Sequence, residues 1–297
     1  MLTIAAVERD CGLPKETLRV WERRYGFPTP LRDAHDERLY PADQVAKLRQ
    51  LRRLVDAGHR PGKVVNLPAD ELAALVRALD TPRSQAAHLE AQQVLAHLAA
   101  YETERLREFL SGLLTRRGLR EFAADVAPSL VQAVGAAWAQ GELEIHQEHL
   151  FTDQFTAVMR TAMSSALSGA PQGRPLVLLT TLPQEPHLLG LLMAEAMFVV
   201  EGCRCVSLGV QTPVPDIAAA ARALNSDILA LSFSATFPAA QAQAGLAELR
   251  AMRPQGSEIW VGGACAALRA RPDVLVLREL SAIGPAVTAW RARASGE

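Results

Sequence analysis

The stretch "TTLPQEPHLLGLLMAEAMF" (residues 180–198) decides how the C-terminal part of this chain folds. The run "PLVLLTTL" has the length and apolar content of a buried strand, and "LLGLLMAEAMFVVEG" after it reads as a helix. Glu185-Pro186-His187 occupy the turn between them, where a phosphate-binding turn would carry glycines. Gly-x-Gly-x-x-Gly is absent, which argues against a nucleotide-binding turn. A histidine in such a turn presents an imidazole lone pair suited to a transition metal; the plain alternative is a satisfied loop histidine.

Three further runs, "CRCVSLGV", "DILALSFS" and "SEIWVGG", alternate with helical segments at 188–201, 214–224 and 239–253. Such alternation predicts a doubly wound, mostly parallel sheet, with its ligand at the carboxyl ends of the strands. Glu185, His187 and Gly190 fall there. Cys203 and Cys205 alternate along one strand and are expected on one core-facing side. With Cys11 and Cys265 they form neither a C-x-x-C zinc pattern nor a disulfide scaffold.

The middle of the chain, from about residue 67 to 169, is helical throughout, with apolar residues every three or four positions, as in a helical bundle. Within it "WAQGELEIHQEH" sets Trp138 ten residues before Glu148, with His149 following. Taken alone, the indole suits a bundle core and Glu148-His149 a solvated face.

At the N-terminus "LTIAAVERDCGLPKETLRVWERRYGFPTP" divides at Gly12 into two short helices. Thr3 is placed to cap the first and Pro14 to open the second. Ile4 and Val7 face inward on the first, and Leu18 and Trp21, or Trp21 and Tyr25, on the second, leaving Thr17, Arg19, Arg23 and Arg24 outside. A helix-turn-helix with a basic second helix suits a major groove. "PTPLRDAHDERLYPADQ" could form a small wing with Arg38 and Tyr40, and a longer helix starts at Pro41. Over the first 66 residues there are 13 Lys+Arg against 9 Asp+Glu, although the whole chain of 297 residues carries a net charge of only −1. That asymmetry points one end towards a polyanion. No leader pattern and no apolar run of ~18–20 residues is present, so no membrane association and a reduced, cytoplasmic location are expected.

The segment "LRVWERRYG" with "RLY" resembles the winged-helix DNA-binding domain of MerR-type regulators over about sixty residues. The resemblance implies that Thr17, Arg19 and Arg23 read bases and that Arg38 and Tyr40 belong to the wing. "EPHLLG", "LSFS" and "VGGA" resemble the acidic-x-His-x-x-Gly, Ser-x-Leu and Gly-Gly signatures of the cobalamin-binding Rossmann-like domain of corrinoid proteins. By that match His187 binds cobalt from below, Glu185 orients its imidazole, and Gly190, Ser232, Gly262 and Gly263 make room for the displaced nucleotide tail. Ser234 departs from the pattern, standing where leucine is usual.

Head, bundle and cobalamin domain in this order resemble the CarH/LitR family of light-sensing repressors, whose cap carries Trp-x9-Glu-His. The match implies that Trp138 and Glu148 shelter the 5′-deoxyadenosyl group of adenosylcobalamin and that His149 lines the same pocket, with methylcobalamin as the variant cofactor. It also implies a dark tetramer on double-stranded operator DNA that comes apart in light. In well-known members a histidine follows the tryptophan and takes the upper cobalt position after illumination. Ala139 stands there and cannot, leaving His146 and His149 as the nearest substitutes.

The expected architecture is a multi-domain α and α/β chain. It comprises a winged helix-turn-helix over 1–76, a four-helix bundle over 77–172 and a Rossmann-like doubly wound parallel sheet over 173–297. A regulator and not an enzyme is expected. The competing readings are a cobalamin-sensing regulator without light response and a corrinoid methyl carrier.

Overall fold

The computed structural model describes residues 1–32, 37–79, 82–168, 173–265 and 268–295. The chain divides into two compact units, 1–90 and 91–297. The bundle and the sheet therefore cluster together.

In the first unit, α1 (Ile4–Cys11) is capped by Thr3, whose hydroxyl accepts from the Ala6 N–H at 3.4 Å. Pro14 stands just before α2 (Lys15–Tyr25), one position earlier than the sequence suggested. Strands β1 (Leu2–Thr3), β2 (Leu31–Arg32) and β3 (Arg38–Tyr40) form a small antiparallel sheet in the order β1-β3-β2. The wing tip, residues 33–36, lies outside the described residues. Helix α3 (Ala42–Asp56) buries Val45, Leu48, Leu51 and Leu54 at the helical spacing. After the short α4 (Pro61–Val64), α5 (Ala69–Leu79) adds Leu72 and Val76 to the same core as Val7, Leu18 and Trp21. Arg49 grips Asp10 with two bonds of 2.8 Å, and Arg52 donates to the Gly12 carbonyl at 3.1 Å. Both fasten α3 to the helix-turn-helix.

The second unit opens with four helices, α6 (Pro82–Ala99), α7 (Thr103–Glu121), α8 (Ala127–Ala139) and α9 (Ile145–Ser168). The unit boundary falls within α6. Helix α7 kinks at Gly118, and a π-helical turn, Phe122–Val126, leads into α8. The Gln147 side chain accepts from the Glu144 N–H at 2.8 Å and so caps α9.

The sheet that follows contains β4 (Gly173–Thr180), β5 (Cys203–Ser207), β6 (Ile228–Phe233), β7 (Glu258–Gly263) and β8 (Val274–Leu277), all parallel, in the order β5-β4-β6-β7-β8. The last strand was not anticipated. The sheet is flanked by α10 (Leu188–Val200), α11 (Val214–Leu224), α12 (Ala239–Met252) and α13 (Ile283–Ser295). Alternation along β4 separates two cores. Val177 and Leu179 join the bundle's Phe122, Leu130 and Phe155 together with Met197 of α10, while Leu178 joins Ile217 and Leu249 of α11 and α12. The expected side-sharing of the cysteines is seen, with Cys203 buried in the first of these cores and Cys205 packed against it. No helix among the described residues is long and apolar enough to cross a membrane.

The strand starts are latched by Asp227. Its carboxylate accepts from the Leu176 N–H at 2.7 Å and from Arg174, and its carbonyl accepts from the Glu258 N–H at 2.9 Å. Burial alone would raise the Asp227 pKa, but Arg174 and the Leu176 N–H outweigh it and hold the group below 3.8. A depressed folded-state pKa means stability that is present above the unfolded value and is lost as pH falls through the folded one. Asp227→Asn is therefore expected to cost about 1–3 kcal/mol at neutral pH. In thermal melts the wild type should lose more of its stability than the variant as the pH is taken below 4.

Candidate functional site

Chain order places the site. From β4 the chain crosses to β5 on one side and then returns to β6 on the other, so the connections diverge between the carboxyl ends of β4 and β6. A crevice opens at such a switch point. The loop 181–187 leaves β4 there, and Ser234 follows β6 beside it. Two threonines missed in the sequence brace this loop. The Thr181 hydroxyl donates to the Glu185 carbonyl at 2.6 Å and accepts from the Gln211 N–H at 2.8 Å. The Thr180 hydroxyl bonds to the Gly209 carbonyl and to Thr212. Only the adjacent hydroxyls of "TTL" signalled this role.

Glu185 is buried, with 1 % of its side chain exposed, whereas the His187 side chain is 59 % exposed. One carboxylate oxygen lies 2.5 Å from His187 Nδ1 and also accepts from the His187 backbone N–H at 3.3 Å. The other accepts from the Ser234 N–H at 2.7 Å. Burial alone would raise the Glu185 pKa. Hydrogen bonds from Ser234 and His187 outweigh that and hold the group below its usual 4.5, the Ser234 hydroxyl contributing as well as its N–H. The position where leucine is usual thus serves the carboxylate. An ionised carboxylate only accepts, so Nδ1 carries the proton facing Glu185, and in the neutral imidazole, the form that can bind a metal, Nε2 is the nitrogen with the lone pair.

Behind the loop lies a cleft of about 350 Å³, lined by Gly190, Ser232, Gly262 and Gly263 from the sheet domain and by Ala124 and Pro128 from the bundle. A side chain at any of the three glycines would crowd a neighbour. A Cβ at Gly190 would lie 2.9 Å from the Ser232 hydroxyl, and one at Gly262 would lie 3.1 Å from the Leu277 carbonyl oxygen. Gly263 has φ +102°, and a Cβ there would run into the Phe233 carbonyl.

Trp138, Glu148 and His149 are not among the residues lining this cleft. Trp138 lies in the last turn of α8 with 49 % exposure, while Phe122, Phe151 and Phe155 of the bundle are buried, so its indole is not core. Glu148 accepts from His149 Nδ1 at 2.8 Å and from the Thr152 hydroxyl at 2.9 Å. His146 Nε2 meets the Tyr101 hydroxyl at 2.5 Å, with the two rings stacked. Of the two imidazoles, His149 is held through Nδ1 and His146 through Nε2.

The donor set fits a corrinoid. Among the described residues no group of three or more His, Cys, Asp or Glu is placed to share a metal ion. A lone oriented imidazole suits a metal whose other positions are filled by its own macrocycle, and a glycine-walled cleft beside it suits an appended group.

On the first unit, Arg19 and Arg23 are exposed on α2, opposite Leu18 and Trp21, and Thr17 is half-buried one turn before Trp21. Arg38 donates to Glu22 at 3.0 Å and ties the wing to α2. Tyr40 corrects the expectation of a wing contact. Its side chain is fully buried in the head core, so it supports the wing from inside and has no surface to offer.

Comparison with known proteins finds relatives for both parts of the chain. Residues 2–67 match the model of the MerR HTH family regulatory protein, and residues 175–279 match the B12 binding domain. The chain is 34 % identical to the HTH-type transcriptional repressor CarH of Myxococcus xanthus, over 86 % of each chain. It is 29 % identical to the repressor CarA of the same organism, over 78 % of this chain and 76 % of that one. The monomethylamine corrinoid protein of Methanosarcina barkeri shares the fold at a TM-score of 0.50 and 13 % identity, over 66 % of this chain and 96 % of that one. This protein belongs to the CarH family, transcriptional regulators that join a MerR-type DNA-binding head to a B12-binding domain. It is a regulator and not an enzyme.

Gly263→Ala is expected to destabilise the protein by about 1–3 kcal/mol, because the left-handed backbone is strained for any Cβ and the Phe233 carbonyl must move. The Tm should drop measurably in calorimetry, and cobalamin retention should fall with it.

Proposed function

We propose that the protein is a light-responsive transcriptional repressor that binds adenosylcobalamin base-off, with His187 as the lower cobalt ligand. The carrying observation is the His187–Glu185–Ser234 arrangement at the switch point, beside a glycine-walled cleft. When bound, the cofactor supplies a cobalt–carbon bond that visible light breaks. Glu185 holds the Nδ1 proton and so directs Nε2 at cobalt. Gly190, Ser232, Gly262 and Gly263 receive the displaced nucleotide tail, and Ser234 fixes Glu185. Trp138 covers the upper ligand, with Glu148 and His149 beside it. A half-exposed indole and a carboxylate give an adenosyl group an apolar wall and a hydroxyl acceptor. A methyl ligand needs neither, so adenosylcobalamin is favoured over methylcobalamin.

Thr17, Arg19 and Arg23 on α2 read base edges of double-stranded operator DNA in the major groove. Arg38 steadies α2 through Glu22 and faces the backbone. Self-association in the dark, as a tetramer, brings several heads to one operator. Joining binding modules raises avidity by roughly 10²–10⁴ over a single one, so dissociation in light releases the DNA.

The test is the full-length protein loaded with adenosylcobalamin, followed by absorbance, size-exclusion chromatography and binding to DNA selected by the dark protein from a random pool. Green light should change the spectrum, lower the mass and weaken DNA binding on the order of tenfold or more. A spectral change with constant mass and DNA affinity would leave a cobalamin sensor without light response. His187→Ala should lose most cobalamin; wild-type retention by that variant refutes the assigned ligand.

A further inference from the structure

We infer that Arg278 determines specificity for the complete cofactor by pairing with the phosphodiester of its nucleotide tail. This rests on the cobalamin reading and adds to it a recognition element that none of the sequence signatures contains. The cleft beside His187 has a volume of about 350 Å³, at the small end of ligand pockets, which run to roughly 1,000 Å³. It suits a nucleotide-sized appendage and not a whole corrinoid. Its walls include Phe198, Trp260, Leu277 and Leu280, which a base ring can pack against.

The tail also carries a permanent negative charge on its phosphodiester, and placing that charge against apolar walls is unfavourable without a counter-charge. Among the lining residues the one cation is Arg278, directly after β8. Its Nη2 donates to the Leu268 carbonyl at 2.9 Å, which fixes the guanidinium, and no carboxylate pairs with it among the described residues. Five N–H donors leave several for a phosphate, in a planar fork that matches two of its oxygens. Glu279, the neighbouring anion on the rim, suits the hydroxyl donors of the ribose and not the phosphate.

The experiment titrates full-length apoprotein in the dark with adenosylcobalamin and with adenosylcobinamide, which has the same corrin and upper ligand but no nucleotide tail. Wild type should bind the cobalamin more tightly. Arg278→Met should lower cobalamin affinity about 10- to 100-fold, the range of a charged hydrogen bond, and leave cobinamide affinity unchanged. Arg278→Lys should recover part of the loss. The ³¹P resonance of bound cobalamin should move towards its free position in Arg278→Met, a change that a merely structural role would not produce. Equal binding of both ligands by wild type, or wild-type cobalamin affinity in Arg278→Met, overturns the inference while leaving the cobalamin reading in place. Equal loss of both ligands in Arg278→Met also overturns it, since that marks Arg278 as a structural residue. Failure of wild type to bind either ligand overturns the cobalamin reading and this inference together.

Discussion

A buried carboxylate that must be satisfied organises this site. Glu185 sits out of water, where an ionised group survives only if its oxygens are fully hydrogen-bonded. Ser234 occupies one oxygen and His187 the other, and their hydrogen bonds outweigh burial and hold the carboxyl below its usual range. Each constraint then settles the next. An ionised Glu185 fixes the proton on Nδ1, which in the neutral imidazole leaves the lone pair on Nε2, and the braced loop holds the ring in place.

The sheet gives this interaction its setting. Because the strand order reverses at β4, the loops after β4 and β6 stand side by side, so residues 185 and 234 meet although 49 positions separate them. The same edge carries Gly262 and Gly263 at the end of β7, and the bundle closes over the cleft with Ala124 and Pro128. Those two residues belong to the π-helical turn and the start of α8, and the bundle shares a hydrophobic core with the sheet. A group seated in the cleft therefore touches both parts of one packed body, a physical route from ligand occupancy to the bundle. Trp138 lies in the last turn of the helix whose first turn holds Pro128.

Much of this was legible in the residues. The strand–turn–helix around His187, the alternation of β4 to β7 with helices and the inward faces of α2 and α3 all follow local periodicities that survive folding. What escaped depends on contacts distant in sequence. The strand β8 is only four residues long and lies at the sheet edge with Leu275 exposed, so its apolar run is too short to stand out. Tyr40 ends a three-residue strand, too brief for alternation to tell inside from outside. Arg38 is held by Glu22 across sixteen residues, and Ser234 gains its role by meeting Glu185 across the switch point. The half-exposure of Trp138 could not be read from helical spacing, which suits a core indole equally well. Arg278 belongs to no motif and becomes visible only where the sheet edge and the bundle enclose one cleft.

The most direct measurement is the electron paramagnetic resonance spectrum of the cobalt(II) form of the loaded protein, with histidine at natural abundance and with histidine labelled with ¹⁵N. An axial nitrogen from His187 would give a triplet superhyperfine pattern that becomes a doublet on labelling. A triplet that persists unchanged in the labelled protein would place the cofactor's own benzimidazole on cobalt, contradicting the role assigned to the buried Glu185 and the imidazole it holds.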